Sequence, residues 1–281
     1  MLSIGGITIH RYGLFYVMTF GVGYVFLDWI KNHPHIVRLP HLHTILRVYL
    51  DDIVMRTILW VIIGGRLGHV LIYDPSYYGQ HPWEILQIRK GGMSFVGGFV
   101  GVALTTRYLY RRFQLNRKEI MMMYDLIVLV LPLGIALGRL GNFLNEELVG
   151  LPLSQLALHP STIVRLSDSP LSHIYHSIDH QVRINTNLIE WLCEGVVLWI
   201  IGRSVWRYYK DKEGYPSGLI TGIFMVGYGV MRGLLEQLRD NPSTEYIRWY
   251  NKSLLRMIVF VLVGCAVILQ SRHRGEIKKS D

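Results

Sequence analysis

The sequence predicts an all-α integral membrane protein: a bundle of seven transmembrane helices with its N-terminus outside and its C-terminus cytoplasmic. Three observations carry that expectation: the composition, seven apolar segments of spanning length, and a one-sided distribution of basic residues. Hydrophobic residues make up 51% of the 281 and charged ones only 17%, with a mean hydropathy of +0.28, which fits a multi-spanning chain and not a water-soluble domain. No repeat, low-complexity tract or linker divides the sequence. A single membrane-embedded domain over residues 1–281 is therefore expected, with an outer-face connection at about 139–187.

A helix needs about 20 apolar residues to cross the hydrocarbon core, and the segments follow in order. The first, Tyr12–Trp29, lacks a small-residue cleavage site and should be retained as a helix. Tyr12 and Tyr16 near its start, like Trp83 and Trp249 elsewhere, suit interfacial belts. The second and third, Ile53–Tyr73 and Met93–Leu109, adjoin or contain glycine-rich stretches, Gly64-Gly65-Arg66-Leu67-Gly68 and Gly91-Gly92-Met93-Ser94-Phe95-Val96-Gly97-Gly98. Small residues let membrane helices approach closely, but close packing does not require the charge of Arg66. The fourth, Met121–Leu137, runs straight into polar sequence. The fifth, Leu188–Gly202, carries Glu190 and Glu194 near its start, and the sixth, Leu219–Leu235, ends on Arg232 and Glu236. Hydropathy alone would trim both. The seventh is Leu254–Gln270.

Orientation follows from the cations. Sixteen of the 29 Lys and Arg residues fall on one side: Lys31, Arg38 and Arg47; Arg107, Arg111, Arg112, Arg117 and Lys118; Arg203, Arg207, Lys210 and Lys212; and Arg272, Arg274, Lys278 and Lys279. The positive-inside rule places these in the cytoplasm. The net charge of +9 then reflects topology and headgroup attraction, with no nucleic-acid partner implied.

The stretch Gly138-Arg139-Leu140-Gly141-Asn142-Phe143-Leu144-Asn145-Glu146-Glu147-Leu148-Val149-Gly150 sets an arginine, two asparagines and two glutamates after an apolar run. Polar groups at that depth are expensive and point to function. Arg66, Arg139, Arg232 and Arg239 all fall at outer helix ends, and a guanidinium fork matches a phosphate bidentately. A lipid phosphate is the anion that a membrane supplies. Arg232, Glu236 and Arg239 stand at i, i+4 and i+7, so one helical face would hold all three, with Glu236 orienting both arginines. An interfacial salt-bridge ladder is the plainer account of the same spacing. The histidines His33, His35, His41 and His43 have no acidic or cysteine partners in ligand spacing, and Cys193 and Cys265 have no CxxC spacing. Neither a metal site nor a disulfide is supported, and no cofactor is implied.

The segment from Gly138 to Gly150 resembles the signature of the prolipoprotein diacylglyceryl transferase family. Tyr12-Gly13-Leu14-Phe15-Tyr16, the glycine motifs of the second and third segments, and Gly227-Tyr228-Gly229 with Arg232, Glu236 and Arg239 resemble that family's other motifs, in order along most of the chain. The resemblance implies a seven-helix enzyme of the bacterial cytoplasmic (inner) membrane, embedded among membrane lipids. Such an enzyme moves the diacylglyceryl group of phosphatidylglycerol to the lipobox cysteine thiol of a preprolipoprotein, making a thioether and releasing glycerol 1-phosphate. Arg139 would hold the lipid phosphate, with Asn142 and Glu147 completing that pocket and Arg232 a second essential arginine supported by Glu236 and Arg239. Tyr16, Arg66, Ser94, Asn145 and Gly150 would line the substrate site. Displacing a phosphate ester needs the leaving charge stabilised and the thiol ionised, which these residue types can support.

The chain also departs from the family pattern. Where members usually carry a histidine in the third-segment motif this sequence has Val96, which cannot take a proton, and Ile184-Asn185-Thr186-Asn187-Leu188-Ile189-Glu190 replaces the usual histidine-led motif before the fifth segment. His69, three residues after Arg66, is a candidate to do the missing histidine's work. A second reading therefore stays open: a catalytically impaired paralogue that binds anionic phospholipid or lipoprotein precursors. A transporter is disfavoured, since no paired broken segments suggest inverted repeats.

Overall fold

A computed structural model describes residues 2–4, 7–9, 11–72, 74–88, 92–156, 158–209, 212, 214–240 and 252–277. In order they form β1 (Leu2–Ile4), β2 (Ile7–Ile9), α1 (Arg11–Ile30), α2 (Pro34–Val37), α3 (Pro40–Ile72), α4 (Pro75–Gln80), a 3₁₀ turn at Pro82–Leu86, α5 (Phe95–Phe113), α6 (Arg117–Val128) and α7 (Leu131–Leu144). There follow a 3₁₀ turn at Leu153–Gln155, α8 (Pro160–Ser167), β3 (Ser172–Ile174), β4 (Val182–Ile184), α9 (Thr186–Glu190), a π-helical stretch at Trp191–Val197, α10 (Leu198–Tyr208), α11 (Leu219–Leu235), a 3₁₀ turn at Glu236–Leu238 and α12 (Lys252–Ile277).

The chain is mostly helical, and the described residues of the seven expected segments lie largely on helix. Pro40–Ile72, Arg117–Leu144 and Leu219–Leu238 are long and apolar enough to cross a membrane by length and composition, while Val17–Ile30 and Met257–Arg272 are shorter apolar helices. Short strands accompany the helices. Two antiparallel hairpins are present, with Leu2 opposite Ile9 and Ser172 opposite Ile184.

Two internal breaks depart from the expected spans. The fourth segment is two helices, because Pro132 has no N–H for the carbonyl four residues back and its ring collides with it. Helix α6 accordingly ends at Val128, and α7 restarts with Pro132 in its first turn. Helix α7 then continues to Leu144, so Arg139 and Asn142 lie within it and not in an outer connection starting at 139. The fifth segment is helical from Thr186 to Tyr208 but passes through the π-helical stretch, a local widening that often accompanies functional sites.

The chain divides into two compact units. Residues 27–120 form one, centred on α3 packed against α5. A Cβ on Gly97 would run into the Gly64 carbonyl, and one on Gly68 would sit 2.7 Å from the Gly97 Cα. The close approach expected of these glycines is therefore real. Residues 1–26 and 121–281 form the other, in which α7 packs against the π stretch and α11 against α12. A Cβ on Gly195 would lie 2.6 Å from that of Ala136, so α7 and the π stretch nearly touch one residue away from Glu194 and three away from Arg139. Asp125 of α6 is fully buried and closes the opposite part of this unit. It accepts from the Tyr215 hydroxyl (2.8 Å), the Gly218 N–H (2.7 Å), and the N–H and hydroxyl of Thr221 (2.8 and 2.7 Å), capping α11 from another helix.

Candidate functional site

The larger unit contains a buried cluster of three arginines and three glutamates. Glu190 and Glu194 are both fully excluded from solvent. Burying two carboxylates at that depth is tolerable only with cationic partners, and the partners come from three other segments. From α7, Arg139 brings Nε to 3.0 Å from Glu190 and an Nη to 3.1 Å from Glu194. From α11, Arg232 lies 2.9 Å from Glu190 and 3.5 Å from Glu194, and its other Nη is 3.0 Å from Glu236. Arg239, beyond the helix, donates to both oxygens of Glu190 at 2.7 and 2.6 Å.

Arg239 therefore corrects the expected i, i+4, i+7 face. The backbone tightens into a 3₁₀ turn after Leu235 and Arg239 is extended (φ −84°, ψ 142°), so Glu236 orients Arg232 while Glu190 holds Arg239. The departure is enforced by strand-like pairing. The Leu151 N–H donates to Leu238 O (2.9 Å), the Asp240 N–H to Val149 O (3.0 Å) and the Ile184 N–H to Leu151 O (3.0 Å), so residues 149–151 lie between 183–184 and 238–240.

That bridge explains Gly150. A Cβ there would collide with the Ile184 carbonyl and sit 2.9 Å from a Thr186 methyl, and the Gly150 carbonyl accepts from Arg183 at 3.0 Å. Its role is close approach of backbone. Between α7 and Gly150 the signature turns sharply, with Glu146 and Leu148 both at positive φ (54° and 53°), a conformation that costs a non-glycine residue energy. Neighbours secure the turn. Asn187 Nδ2 donates to Glu147 O (2.9 Å), the Thr186 hydroxyl to Leu148 O (3.1 Å), and the Ser177 N–H to the Glu146 carboxylate (2.7 Å). The Ser177 bonds hold the Glu146 carboxyl below its usual range. Asp179 is likewise held low, by Arg183, which also reaches Asp240 at 2.6 Å.

The expected site residues are divided between the two units. Asn142 is buried on α7 and Asn145 caps that helix. Glu147 is exposed, and its main chain, not its carboxylate, carries the contact just described. Tyr16 lies on α1, its side chain outside the described residues, as is that of Val96 on α5. Arg66, His69 and Ser94 belong to the other unit. Arg66 is buried and donates to the carbonyls of Ile85 (2.8 Å), Gly92 (3.2 Å) and Glu84 (2.5 Å), so its guanidinium ties residues 84–85 to Gly92. Ser94 caps α5 by accepting from the Gly97 N–H. His69 packs against Gly92, meets the Tyr78 ring edge-on and lies 3.7 Å from Asp74. The residues missed are Glu190 and Glu194. Their signal was present as two acids at i, i+4 inside an apolar segment, an arrangement that demands partners.

Beside the cluster is a cavity of about 310 Å³ lined by Arg139, Leu140, Phe143, Pro170, Ser172, His173, Asn185, Asn187 and Leu188. It combines apolar walls with an arginine, an imidazole and two amides, the mixture suited to a ligand with an anionic head and apolar body. The cluster holds the Arg139 guanidinium at its wall.

The sequence has relatives among known proteins. The prolipoprotein diacylglyceryl transferase family profile matches residues 1–270. The chain is 38% identical over 240 residues to the phosphatidylglycerol–prolipoprotein diacylglyceryl transferase of Nitrosomonas europaea, covering 85% of this chain and 76% of that one. It is 36% identical over 271 residues to the protein of the same name from Janthinobacterium sp. (strain Marseille), covering 95% and 92%. With that from Wolbachia pipientis subsp. Culex pipiens it shares 33% identity over 272 residues, covering 96% and 93%.

Proposed function

The chain belongs to the prolipoprotein diacylglyceryl transferase family, and from that membership we propose that it carries out the reaction its relatives are named for. It is a transferase that takes the diacylglyceryl group of phosphatidylglycerol and joins it to a prolipoprotein. The acceptor atom is the lipobox cysteine thiol, the new bond a thioether and the leaving group glycerol 1-phosphate. The observation that carries this reading is Arg139, held by Glu190 and Glu194 beside a mostly apolar cavity that it helps to line. A guanidinium fixed in advance in a water-poor site meets the charge that develops on the departing phosphate without reorganising. Arg232 and Arg239 add positive field, and Asn142, Asn145, Glu147, Glu236 and Gly150 shape the site around it. Tyr16, on α1 of the same unit, is a further candidate contact for the lipid.

We further propose seven membrane spans, with the N-terminus outside and the C-terminus in the cytoplasm of a bacterial inner membrane. The sixteen cations on one side support that orientation.

Complementation tests the proposal: the chain, produced in a strain depleted of its own transferase, restores growth and lipid modification of a reporter lipoprotein. Normal membrane insertion without modification would favour the second reading, a membrane protein that binds anionic phospholipid or lipoprotein precursors without transfer. Val96 is the observation on that side, because valine cannot handle the thiol proton.

A further inference from the structure

The Arg139 cavity contains one side chain able to exchange a proton at neutral pH, and sequence reasoning did not single it out. His173 lies on β3, in the loop-rich stretch between α8 and α9, and lines the cavity together with Arg139. Its ring packs on Phe143, centroids 4.9 Å apart, and meets the buried Tyr175 edge-on at 4.9 Å. Phe143 follows Arg139 by four residues on α7, so the two share a face one helical turn apart, a rise of about 6 Å. The imidazole, packed on Phe143, thus lines the same hollow as Arg139. The hairpin fixes it there. His173 is paired with Arg183, whose own side chain is tied to Asp179, Asp240 and the Gly150 carbonyl.

We propose that His173 is the base that takes the proton of the acceptor cysteine while Arg139 holds the phosphate of the lipid. This rests on the transferase reading above. An imidazole is the side chain whose charge changes in the physiological range, and a positioned one suits general-base work. The thiol S–H bond breaks and its proton passes to a ring nitrogen of His173. The sulfur electron pair forms the C–S bond at the terminal glyceryl carbon as the C–O bond of that carbon breaks. The bonding electrons leave on the oxygen of glycerol 1-phosphate, where Arg139 meets the added charge. Water then removes the proton from the imidazolium. The groups around His173 are Arg139 of α7, which lines the same cavity, Tyr175 just past the end of its own strand, and Arg183, its partner on β4. No carboxylate lines the cavity among the described residues.

The test uses full-length protein in phosphatidylglycerol vesicles with two lipobox peptides, one carrying cysteine and one selenocysteine at the acceptor position. A selenol is ionised at neutral pH and needs no base. His173→Ala and His173→Gln should each lose about 10²–10⁴-fold in kcat/KM with the cysteine peptide and keep near wild-type turnover of the selenocysteine peptide. Their residual cysteine rate should climb with pH through the thiol's own ionisation, near about 8.5. Wild-type rates with cysteine in both variants, or equal losses with both peptides in the glutamine variant, would overturn the assignment. Failure of the unmodified protein to transfer to either peptide would instead sink the transferase reading.

Discussion

Glu190→Gln tests the arrangement that fixes the arginines. Glu190 is fully buried and its two oxygens serve Arg139 at 3.0 Å, Arg232 at 2.9 Å and Arg239 at 2.7 and 2.6 Å. Glutamine keeps the volume but removes one charge and replaces an acceptor oxygen with an NH₂ donor aimed at guanidiniums that are themselves donors only. Each charge-assisted bond contributes about 1.5–3 kcal/mol, but contacts that share one carboxylate do not add. The better guide is the cost of removing one partner from a buried pair, about 3–5 kcal/mol. At about 2–4 °C per kcal/mol for a chain of this size, the melting temperature in detergent should fall by about 6–20 °C. Transfer should drop by at least about 100-fold, because an arginine displaced by even about 1 Å loses that much. Arg239→Gln added to Glu190→Gln removes the excess cation and should recover stability without recovering activity. A melting shift below about 2 °C with unchanged kcat/KM in Glu190→Gln would refute the argument that this carboxylate holds the cluster together.

Three further outcomes follow from the same geometry. Arg139→Lys keeps the charge but not the planar fork that reaches both Glu190 and Glu194, so transfer should fall by at least about 100-fold in a vesicle assay while the protein still inserts. Gly97→Leu should lower the detergent melting temperature strongly. Its side chain meets the Gly64 backbone, which cannot move aside, and so costs more than the about 1–3 kcal/mol of ordinary overpacking. Acidification should open the 146–183 stretch, read as faster amide exchange there. Glu146 and Asp179 have carboxyl groups held below their usual ranges by Ser177 and Arg183. Their stabilisation is complete above the unfolded values of about 4 and disappears as pH falls through the lower folded ones.

The helices were legible because hydropathy reports a property of the segment itself. A run of about 20 apolar residues has few alternatives in a membrane, and the seven segments lie largely on helix, three of the helices being long and apolar enough to cross a membrane. The breaks were harder. Pro132 was visible in the sequence and its effect follows from steric rules, yet an apolar run on both sides conceals it from a hydropathy average. The π stretch leaves no such residue, and the β3–β4 hairpin is too short for an alternating pattern to emerge.

At the site, Arg139 and Arg232 were legible as charges that an apolar segment tolerates only for a purpose. Their partners were not. The i, i+4 rule finds neighbours along one helix, and it correctly joins Arg232 to Glu236, but Glu190 draws on α7, α11 and the chain beyond α11 at once. Arg239 was misplaced because helical periodicity was extended past the residue where the helix stops. The carbonyl partners of Arg66 were not legible for a different reason, since backbone carbonyls carry no sequence signature.

The charge count of the cluster constrains how a phosphate can use it. Arg139, Arg232 and Arg239 are matched one for one by Glu190, Glu194 and Glu236. The guanidiniums are therefore not held apart from counter-charge until substrate arrives, and a lipid phosphate competes with carboxylates already in place. Glu190 touches all three arginines with its two oxygens and is the costliest to displace, whereas Glu194 reaches Arg139 at 3.1 Å and Arg232 at only 3.5 Å. Exchange should thus proceed at the Glu194 side of Arg139, leaving Glu190 as the fixed pivot. Glu194→Gln should then weaken the cluster less than Glu190→Gln and alter KM for phosphatidylglycerol more than the melting temperature. The reverse order of effects would mean that phosphate enters from the Glu190 side, and that the pivot has been assigned to the wrong carboxylate.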